Sequence, residues 1–111
     1  MKLGIIIYSN DPETIWNAFR LGSTSLAYDD QVRIFLLGKG VESADIKSLK
    51  FNIKEQKAIF IDHGGEIMGC SLCCEIRADE MPLLKDDLQC DLGSMQDLYA
   101  LVNECDKVLT F

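Results

Sequence analysis

The sequence lacks several features that mark common functional classes. Its apolar runs are too short to cross a bilayer, and no charged and then apolar leader precedes the strand-like run that begins at Lys2. The 11 Lys and Arg residues are outnumbered by 18 Asp and Glu residues, which gives a formal net charge of -7. Nucleic-acid binding needs clustered cations. We therefore expect no nucleic-acid or membrane partner and a cytoplasmic location.

Histidine and proline are also scarce, with one and two residues respectively. A structural zinc site usually combines two Cys-x-x-Cys pairs, whereas this chain has one such pair and a single distant histidine. No proline stands where a thioredoxin-like protein would need its cis-proline. The five cysteines are odd in number, which together with the expected compartment favours free, reactive or metal-bound thiols over a disulfide framework.

The residues that are present describe a folded α/β domain. The 111 residues are 48% apolar and 26% charged, enough for one hydrophobic core, and strand-like runs alternate with helical patterns. We expect one domain over residues 1–111, a flavodoxin-like doubly wound parallel sheet of five strands with helices on both faces. The predicted strands are residues 2–8, 31–37, 66–69, 87–92 and 107–111. The predicted helices start at the 9–12 turn and at Ser94, and cover residues 43–50, 53–62 and 71–79.

The predicted fold indicates where a site would form. In doubly wound sheets, ligands bind beyond the carboxyl ends of the strands, where the strand order reverses. With the order 2-1-3-4-5, the first and third strands flank that point, so Cys70 at the end of strand three would face the turn of Ser9, Asn10 and Asp11. Ser9 and Asn10 are then interpreted as helix caps that also qualify as ligand-binding residues.

Three thiols lie within five residues of this position, at Cys70, Cys73 and Cys74. Cys70 would lie at the start of a helix, where exposed amides favour the thiolate. Cys73 lies three residues on and is a candidate resolving thiol or co-ligand, whereas Cys74 would point elsewhere and pack. Arg77 lies two helical turns from Cys70, and its guanidinium would reach the sulfur, a carboxylate such as Glu80, or a neighbouring subunit.

The remaining candidate residues have plainer interpretations. Cys90 and Cys105 are expected to be inert, because buried thiols behave as small hydrophobes. His63 stands beside two glycines and is interpreted as a solvated helix end rather than a catalytic base. The last helix is expected to bury one face formed by Met95, Leu98, Leu101, Val102 and Cys105. Three leucines exceed what the sheet needs and indicate an interface between subunits: Leu83, Leu84 and Leu88.

The chain resembles the DsrE/DsrF-like sulfur-relay family, of the YchN/TusD type, over nearly all its length. The resemblance rests on the first strand with its Ser-Asn-Asp-Pro-Glu-Thr turn, residues 32–41, a cysteine ending strand three, residues 93–98 and residues 106–111. It implies a small cytosolic persulfide carrier or sulfurtransferase subunit with sulfur donor and acceptor proteins as partners, working in homo- or hetero-oligomers. By resemblance, Cys70 matches the sulfur-carrying position and Arg77 the basic residue that often follows it.

Other functions stay open on the residues alone. The thiols of Cys70, Cys73 and Cys74, with Cys90 as a possible fourth, could bind a metal or an iron-sulfur cluster. Cys70 and Cys73 could instead form a thiol-disulfide redox switch, or the chain could be a non-catalytic subunit of an oligomer. Under the principal hypothesis, Cys70 and Cys73 are catalytic, Ser9, Asn10 and Arg77 are binding residues, and no metal or cofactor is predicted.

Overall fold

The structure is a computed structural model that describes residues 1–111. Its strands are β1 (Lys2–Ile7), β2 (Gln31–Leu36), β3 (Glu66–Cys70), β4 (Asp91–Gly93) and β5 (Lys107–Thr110). Its helices are α1 (Pro12–Ala27), α2 (Ile53–Asp62), α3 (Ser71–Ile76), α4 (Leu84–Asp87) and α5 (Met95–Glu104), and a 3₁₀ segment (Gly38–Asp45) follows β2. All strand pairs are parallel, as the alternation of strands and helices predicts. None of the helices has the length and apolar character that a membrane span requires.

The strand order is β4-β3-β2-β1-β5, so the predicted order 2-1-3-4-5 is wrong. β2 lies between β1 and β3, with Ile34 paired to Ile5 on one side and to Ile67 on the other. Each of the crossovers through α1 and α2 leads to the adjacent strand, which is the common arrangement for consecutive strands. The first and third strands therefore do not flank a crevice, and the neighbour of β3 on the side of β1 is β2.

Helices cover both faces of the sheet. Phe19 of α1 and Phe60 of α2 are 1% and 0% exposed and meet edge to face with their ring centroids 5.9 Å apart. On the other face, α5 packs so closely that a side-chain carbon at Gly4 would collide with Leu101. Since side chains alternate along a strand, Gly4 on β1 faces α5 and its neighbour Ile5 faces α1.

Helix α5 is buried on a narrower face than the sequence pattern predicts. Leu98 and Leu101 are 8% and 3% exposed, whereas Met95 and Val102 are 65% and 48% exposed. The prediction that Met95 and Val102 share the buried face is therefore wrong. A single ten-residue helix on this face has no helical neighbour to cover its flanks, so only the residues directed at the sheet are buried.

Three predicted segments differ from the structure. The helix expected at residues 43–50 is absent, since residues 43–45 end the 3₁₀ segment and residues 46–50 are in no helix. The helix expected at 71–79 ends at Ile76, and the strand expected at 87–92 is the short edge strand β4. Helix α4 occupies the residues before β4, and it turns Leu84 and Leu88 inward to 2% and 0% exposure. Of the three leucines assigned to a subunit interface, only Leu83 is exposed.

Candidate functional site

The structure places Cys70 at the carboxyl end of β3, as the first residue before α3. Its backbone is extended, and its Sγ accepts the backbone N–H of Cys73 at 3.2 Å. Only 7% of Cys70 is exposed. Burial, followed by a hydrogen bond with the Cys73 side chain, raises the pKa of the Cys70 thiol. The expected lowering is wrong, because desolvation of a buried thiolate outweighs one amide donor.

Cys73 lies one turn further along α3 and is half-buried. Its Sγ accepts the backbone N–H of Gly38, the first residue of the 3₁₀ segment, at 3.2 Å. Gly38 has a φ of 55°, a left-handed conformation that glycine adopts without steric cost. Cys73 is therefore a partly buried residue whose sulfur has a backbone donor from the loop of a neighbouring strand.

The 3₁₀ segment is held against the end of β1 by its second glycine. A side-chain carbon at Gly40 would overlap the carbonyl oxygen of Ile7, the same oxygen that accepts the N–H of Leu37 at 2.9 Å. No residue larger than glycine fits at this position without moving the backbone. Gly40 thus fixes the path of the chain that presents the Gly38 amide to Cys73.

Arg77 binds a carboxylate that the sequence analysis did not identify. Its Nε donates to Glu42 Oε2 at 2.7 Å, and its Nη1 donates to the carbonyl oxygen of Cys73 at 3.0 Å. Both side chains of the ion pair are 19% exposed, and the Arg77 hydrogen bond lowers the pKa of Glu42. Of the alternatives for Arg77, the structure has the carboxylate partner, but it is Glu42 and not Glu80, and no hydrogen bond joins Arg77 to the Cys70 sulfur.

Glu42 connects Arg77 to one of the two residues predicted on the first turn. Glu42 Oε1 accepts the side-chain amide of Asn10 at 3.3 Å, so Asn10, Glu42 and Arg77 form one chain of contacts that ends at the Cys73 carbonyl. Ser9 is not part of it, because its hydroxyl accepts the N–H of Asp11 within the turn. The prediction that Ser9 and Asn10 cap α1 is wrong, because Asp11 caps the helix by accepting the N–H of Thr14.

The sequence contains part of the information needed to identify Glu42 as a site residue. Glu42 follows the glycine-containing loop at the end of β2, and the carboxyl ends of parallel strands share one edge of the sheet. The predicted order 2-1-3-4-5 puts the end of β3 opposite the first turn, without β2 between them. The correct order β3-β2-β1 puts the 3₁₀ segment after β2 between those two places.

The third clustered thiol does not join this site. Cys74 is 1% exposed and lies in the core, and burial raises its pKa. No three His, Cys, Asp or Glu side chains lie in positions that could hold a metal ion, so Cys70, Cys73 and Cys74 do not form a three-thiol ligand set. All five cysteines are free. His63 is exposed at the end of α2, with Nδ1 2.7 Å from the carbonyl oxygen of Ile59.

A second cysteine lies near a cation elsewhere in the molecule. The ammonium of Lys57 donates to the carbonyl oxygen of Leu88, and its charge acts on Cys90. Burial lowers the pKa of Lys57 and raises the pKa of Cys90. Both groups are therefore shifted towards their neutral forms, and we refer to them as the Lys57–Cys90 pair.

Comparisons with known proteins bear on the fold and on the family. The model of the DsrE/DsrF-like family matches residues 1–111. An uncharacterized protein of Methanocaldococcus jannaschii, MJ0989, is 32% identical over 118 aligned residues that cover 100% of both chains. A conserved protein of unknown function from Bacteroides thetaiotaomicron, BT1422, superimposes with a TM-score of 0.77 and 18% identity, over 99% of this chain and 94% of that chain. At that identity, the similarity to BT1422 shows the fold alone.

Proposed function

The chain belongs to the DsrE/DsrF-like family, and from this premise we propose that it carries sulfane sulfur as a cysteine persulfide on the Cys70 and Cys73 thiols. The observation that supports this most directly is that Cys73, a partly buried residue whose sulfur accepts the backbone N–H of Gly38, lies three residues from the second thiol, Cys70. Membership of the DsrE/DsrF-like family supports the sulfur-relay part of the proposal in general terms.

The proposed reaction is a thiol exchange at sulfur. A protein thiolate attacks the outer sulfur of a donor persulfide or polysulfide, a new sulfur–sulfur bond forms, and the donor's sulfur–sulfur bond breaks to leave its thiolate. The product is a persulfide anion, which a charge-assisted hydrogen bond from a backbone N–H stabilises. The reaction needs no metal and no external oxidant, since the oxidation level resides in the transferred sulfur.

Two of the predicted binding residues support the site indirectly in this proposal. Asn10 and Arg77 hold Glu42, and Arg77 also holds the Cys73 carbonyl. Both guanidinium contacts lie on protein atoms, so Arg77 acts as a positioning residue that ties α3 to the 3₁₀ segment. Ser9 shapes the turn that carries Asn10.

The test is uptake of one sulfur atom. Reduced protein is mixed with inorganic polysulfide, quenched early with an alkylating agent and measured by intact mass. We expect one added sulfur atom, removable by reductant, in the wild type and in a Cys105→Ser control. The double variant Cys70→Ser/Cys73→Ser is expected to take up none. Equal uptake by the double variant, or none by the wild type, would contradict the proposal.

A thiol-disulfide switch is the second candidate function, and it is favoured by the short distance between the two cysteines, since the Cys70 sulfur accepts the backbone N–H of Cys73 at 3.2 Å. The sulfur carrier and the redox switch can be distinguished by the reagent with which the protein reacts. A mild thiol oxidant without any sulfur donor would remove two hydrogen atoms from a switch and close a Cys70–Cys73 disulfide. A protein that forms this disulfide readily but takes up no sulfur from polysulfide is a switch, and one that does neither is an assembly subunit.

The proposal includes sulfur donor and acceptor proteins, a homo-oligomer and a cytoplasmic location. Five free cysteines agree with a reducing compartment. An exposed apolar stripe on α5 supports self-association: Met95, Tyr99 and Val102, at 65%, 68% and 48% exposure. Light scattering should give more than one chain per particle, and Tyr99→Glu should shift it towards the monomer. A monomeric wild type would contradict the oligomer.

A further inference from the structure

The two thiols of the site are not equivalent in their surroundings. The Cys70 sulfur is closed off, with 7% of the residue exposed, and its one backbone donor comes from within the same turn. Cys73 is the more exposed residue of the two, since it is only partly buried, and the donor to its sulfur, the Gly38 amide, comes from the loop after β2. A donor molecule arriving from solvent therefore meets Cys73 before it meets Cys70.

We propose that sulfur enters on Cys73 and that Cys70 then displaces it as sulfide, closing a Cys70–Cys73 disulfide. The inference rests on the proposed sulfur-carrier function and assigns an order to its two thiols. It reverses the sequence-based assignment, in which Cys70 at the end of β3 receives the sulfur and Cys73 is the resolving thiol.

Loading follows from access and from the Gly38 amide. The Cys73 thiolate attacks the outer sulfur of a small persulfide, R–S–SH, forming Cys73–S–SH and releasing the thiolate R–S⁻. The Gly38 amide, at 3.2 Å from Cys73 Sγ, lies on the sulfur that bears the charge before attack. Cys70 is disfavoured as the entering nucleophile, since burial raises the pKa of its thiol and limits access to its sulfur.

Discharge uses the proximity of the two cysteines, since the Cys70 sulfur lies 3.2 Å from the backbone nitrogen of Cys73. The Cys70 sulfur attacks the inner sulfur of the Cys73 persulfide, the bond between inner and outer sulfur breaks, and the outer sulfur leaves as HS⁻. The outer sulfur takes up the two electrons that the two cysteines lose, so no other oxidant is required. The Cys70 proton leaves with the sulfide as H₂S or passes to water. A dithiol reductant then returns the Cys70–Cys73 disulfide to two thiols.

Single variants test the order. Wild type, Cys70→Ser and Cys73→Ser are each mixed with inorganic polysulfide, freed of excess reagent, and followed by intact mass and by sulfide release. Serine is a good helix N-cap, so Cys70→Ser retains the start of α3, and circular dichroism verifies the fold of each variant. Cys70→Ala, which removes the cap as well as the thiol, serves as a second version of the same test.

We expect Cys70→Ser and Cys70→Ala to gain one sulfur atom and to keep it until a thiol is added. The wild type should gain the same atom, lose it as sulfide, and end two hydrogen atoms lighter than the reduced chain. Cys73→Ser should lose loading, down to the background of the double variant. These outcomes together would establish Cys73 as the entry thiol and Cys70 as the resolving thiol.

Other outcomes overturn the order without overturning the carrier function. Loading of Cys73→Ser at the wild-type rate, with none on Cys70→Ser, assigns entry to Cys70. Equal loading of both single variants removes the distinction, and a stable adduct on the wild type removes the displacement step. If neither the wild type nor either single variant gains sulfur, the proposed function itself fails.

Discussion

The Cys73 site, formed by Gly38, Glu42, Cys70, Cys73 and Arg77, and the Lys57–Cys90 pair both bring a cysteine near a basic side chain. At the Cys73 site, the cation is fully engaged by the Glu42 carboxylate and the Cys73 carbonyl, and the sulfurs receive backbone amides instead. At the Lys57–Cys90 pair, the ammonium donates to the Leu88 carbonyl. There, burial shifts the pKa of each partner towards its neutral form.

The difference teaches that a neighbouring cation is not what marks a candidate reactive thiol in this chain. A poorly hydrated side chain shifts its pKa towards the neutral form, so a buried lysine loses the charge that would stabilise a thiolate. A fixed amide donor to the sulfur of a partly buried cysteine carries no such cost, because the peptide N–H is neutral and does not titrate. The contrast predicts which substitutions alter thiol chemistry and which do not.

The largest effect is expected for Gly40→Ala, which drives a side-chain carbon into the Ile7 carbonyl. The 3₁₀ segment must move, so we expect a loss of about 3 kcal/mol of unfolding free energy. In the wild type we expect Cys73 to be alkylated before the other thiols. This preference should disappear in Gly40→Ala, because Gly38 moves with the 3₁₀ segment. Urea unfolding and mass mapping of the alkylated thiols measure the two results.

The matched control for this variant is Gly64→Ala. Gly64 has a φ of 91° and open space around it, so the added methyl group meets only backbone strain, about 1 kcal/mol. Its effect on Cys73 labelling should be nil. If Gly40→Ala unfolded at the same urea concentration as Gly64→Ala and kept the Cys73 preference, the role given to the 3₁₀ segment would be wrong.

A smaller effect is expected for Glu42→Gln, which leaves the Arg77 guanidinium without its carboxylate. We expect a loss of about 2 kcal/mol at neutral pH. The lowered pKa of Glu42 means that the unfolded chain binds its proton more readily. The stability from this carboxylate is present above the unfolded value of about 4.5 and is lost as pH falls through the folded pKa.

The control for Glu42→Gln is Glu80→Gln, an exposed carboxylate with no salt bridge. Urea unfolding between neutral and acid pH should show a flatter acid limb for Glu42→Gln than for Glu80→Gln. Acid limbs of equal slope in both variants would show that the Glu42–Arg77 ion pair contributes nothing to folding, and the site would then depend on the backbone contacts alone.

The smallest effect is expected for Lys57→Met, which replaces a poorly hydrated ammonium by a side chain of similar length. We expect stability at neutral pH to change by less than about 1 kcal/mol, since replacing a buried charge with a hydrophobic residue is often neutral or stabilising. Because the pKa of Lys57 is lowered, the unfolded wild type binds more protons than the folded protein. Wild-type stability should therefore rise relative to Lys57→Met as pH increases towards about 10.5.

Alkylation of Cys90 provides the second readout for Lys57→Met. Cys90 should react far more slowly than Cys73 in the wild type and equally slowly in the variant, because burial rather than Lys57 controls its pKa. Rapid labelling of Cys90 in the wild type, abolished by Lys57→Met, would reverse the comparison between the two regions.

Local sequence patterns predicted most of the elements correctly. The β-branched run of β1, the capped start of α1 and the Ser94–Asp97 start of α5 are each encoded within a few residues, and the structure contains all three. Where local signals were weak, the predictions were wrong. The segment at 43–50 has helical spacing, yet its first residues belong to the 3₁₀ segment (Gly38–Asp45). Gly40 packs that 3₁₀ segment against the end of β1.

The candidate site was half predictable. Five site residues were predicted: Cys70, Cys73, Ser9, Asn10 and Arg77. Four of them lie in one network with Glu42, whereas Ser9 bonds within its own turn. Glu42 and Gly38 were missed, because nothing in their local sequence shows which strand end lies next to β3. Which strand ends are neighbours depends on the strand order, and moving a single strand by one place in that order changes the neighbours of β3.

The sequence alone determined the parallel α/β architecture, the family resemblance, and the cluster of thiols at the end of β3. The architecture and the thiol cluster follow from hydrophobic periodicity and residue spacing, which are local properties of the chain, whereas the resemblance rests on the matching sequence segments. Tertiary structure decided the order β4-β3-β2-β1-β5, the ion pair of Glu42 with Arg77, and the amide that Gly38 directs to Cys73. It also decided which thiol is exposed, since burial is set by the neighbours that packing brings together and not by the residue itself.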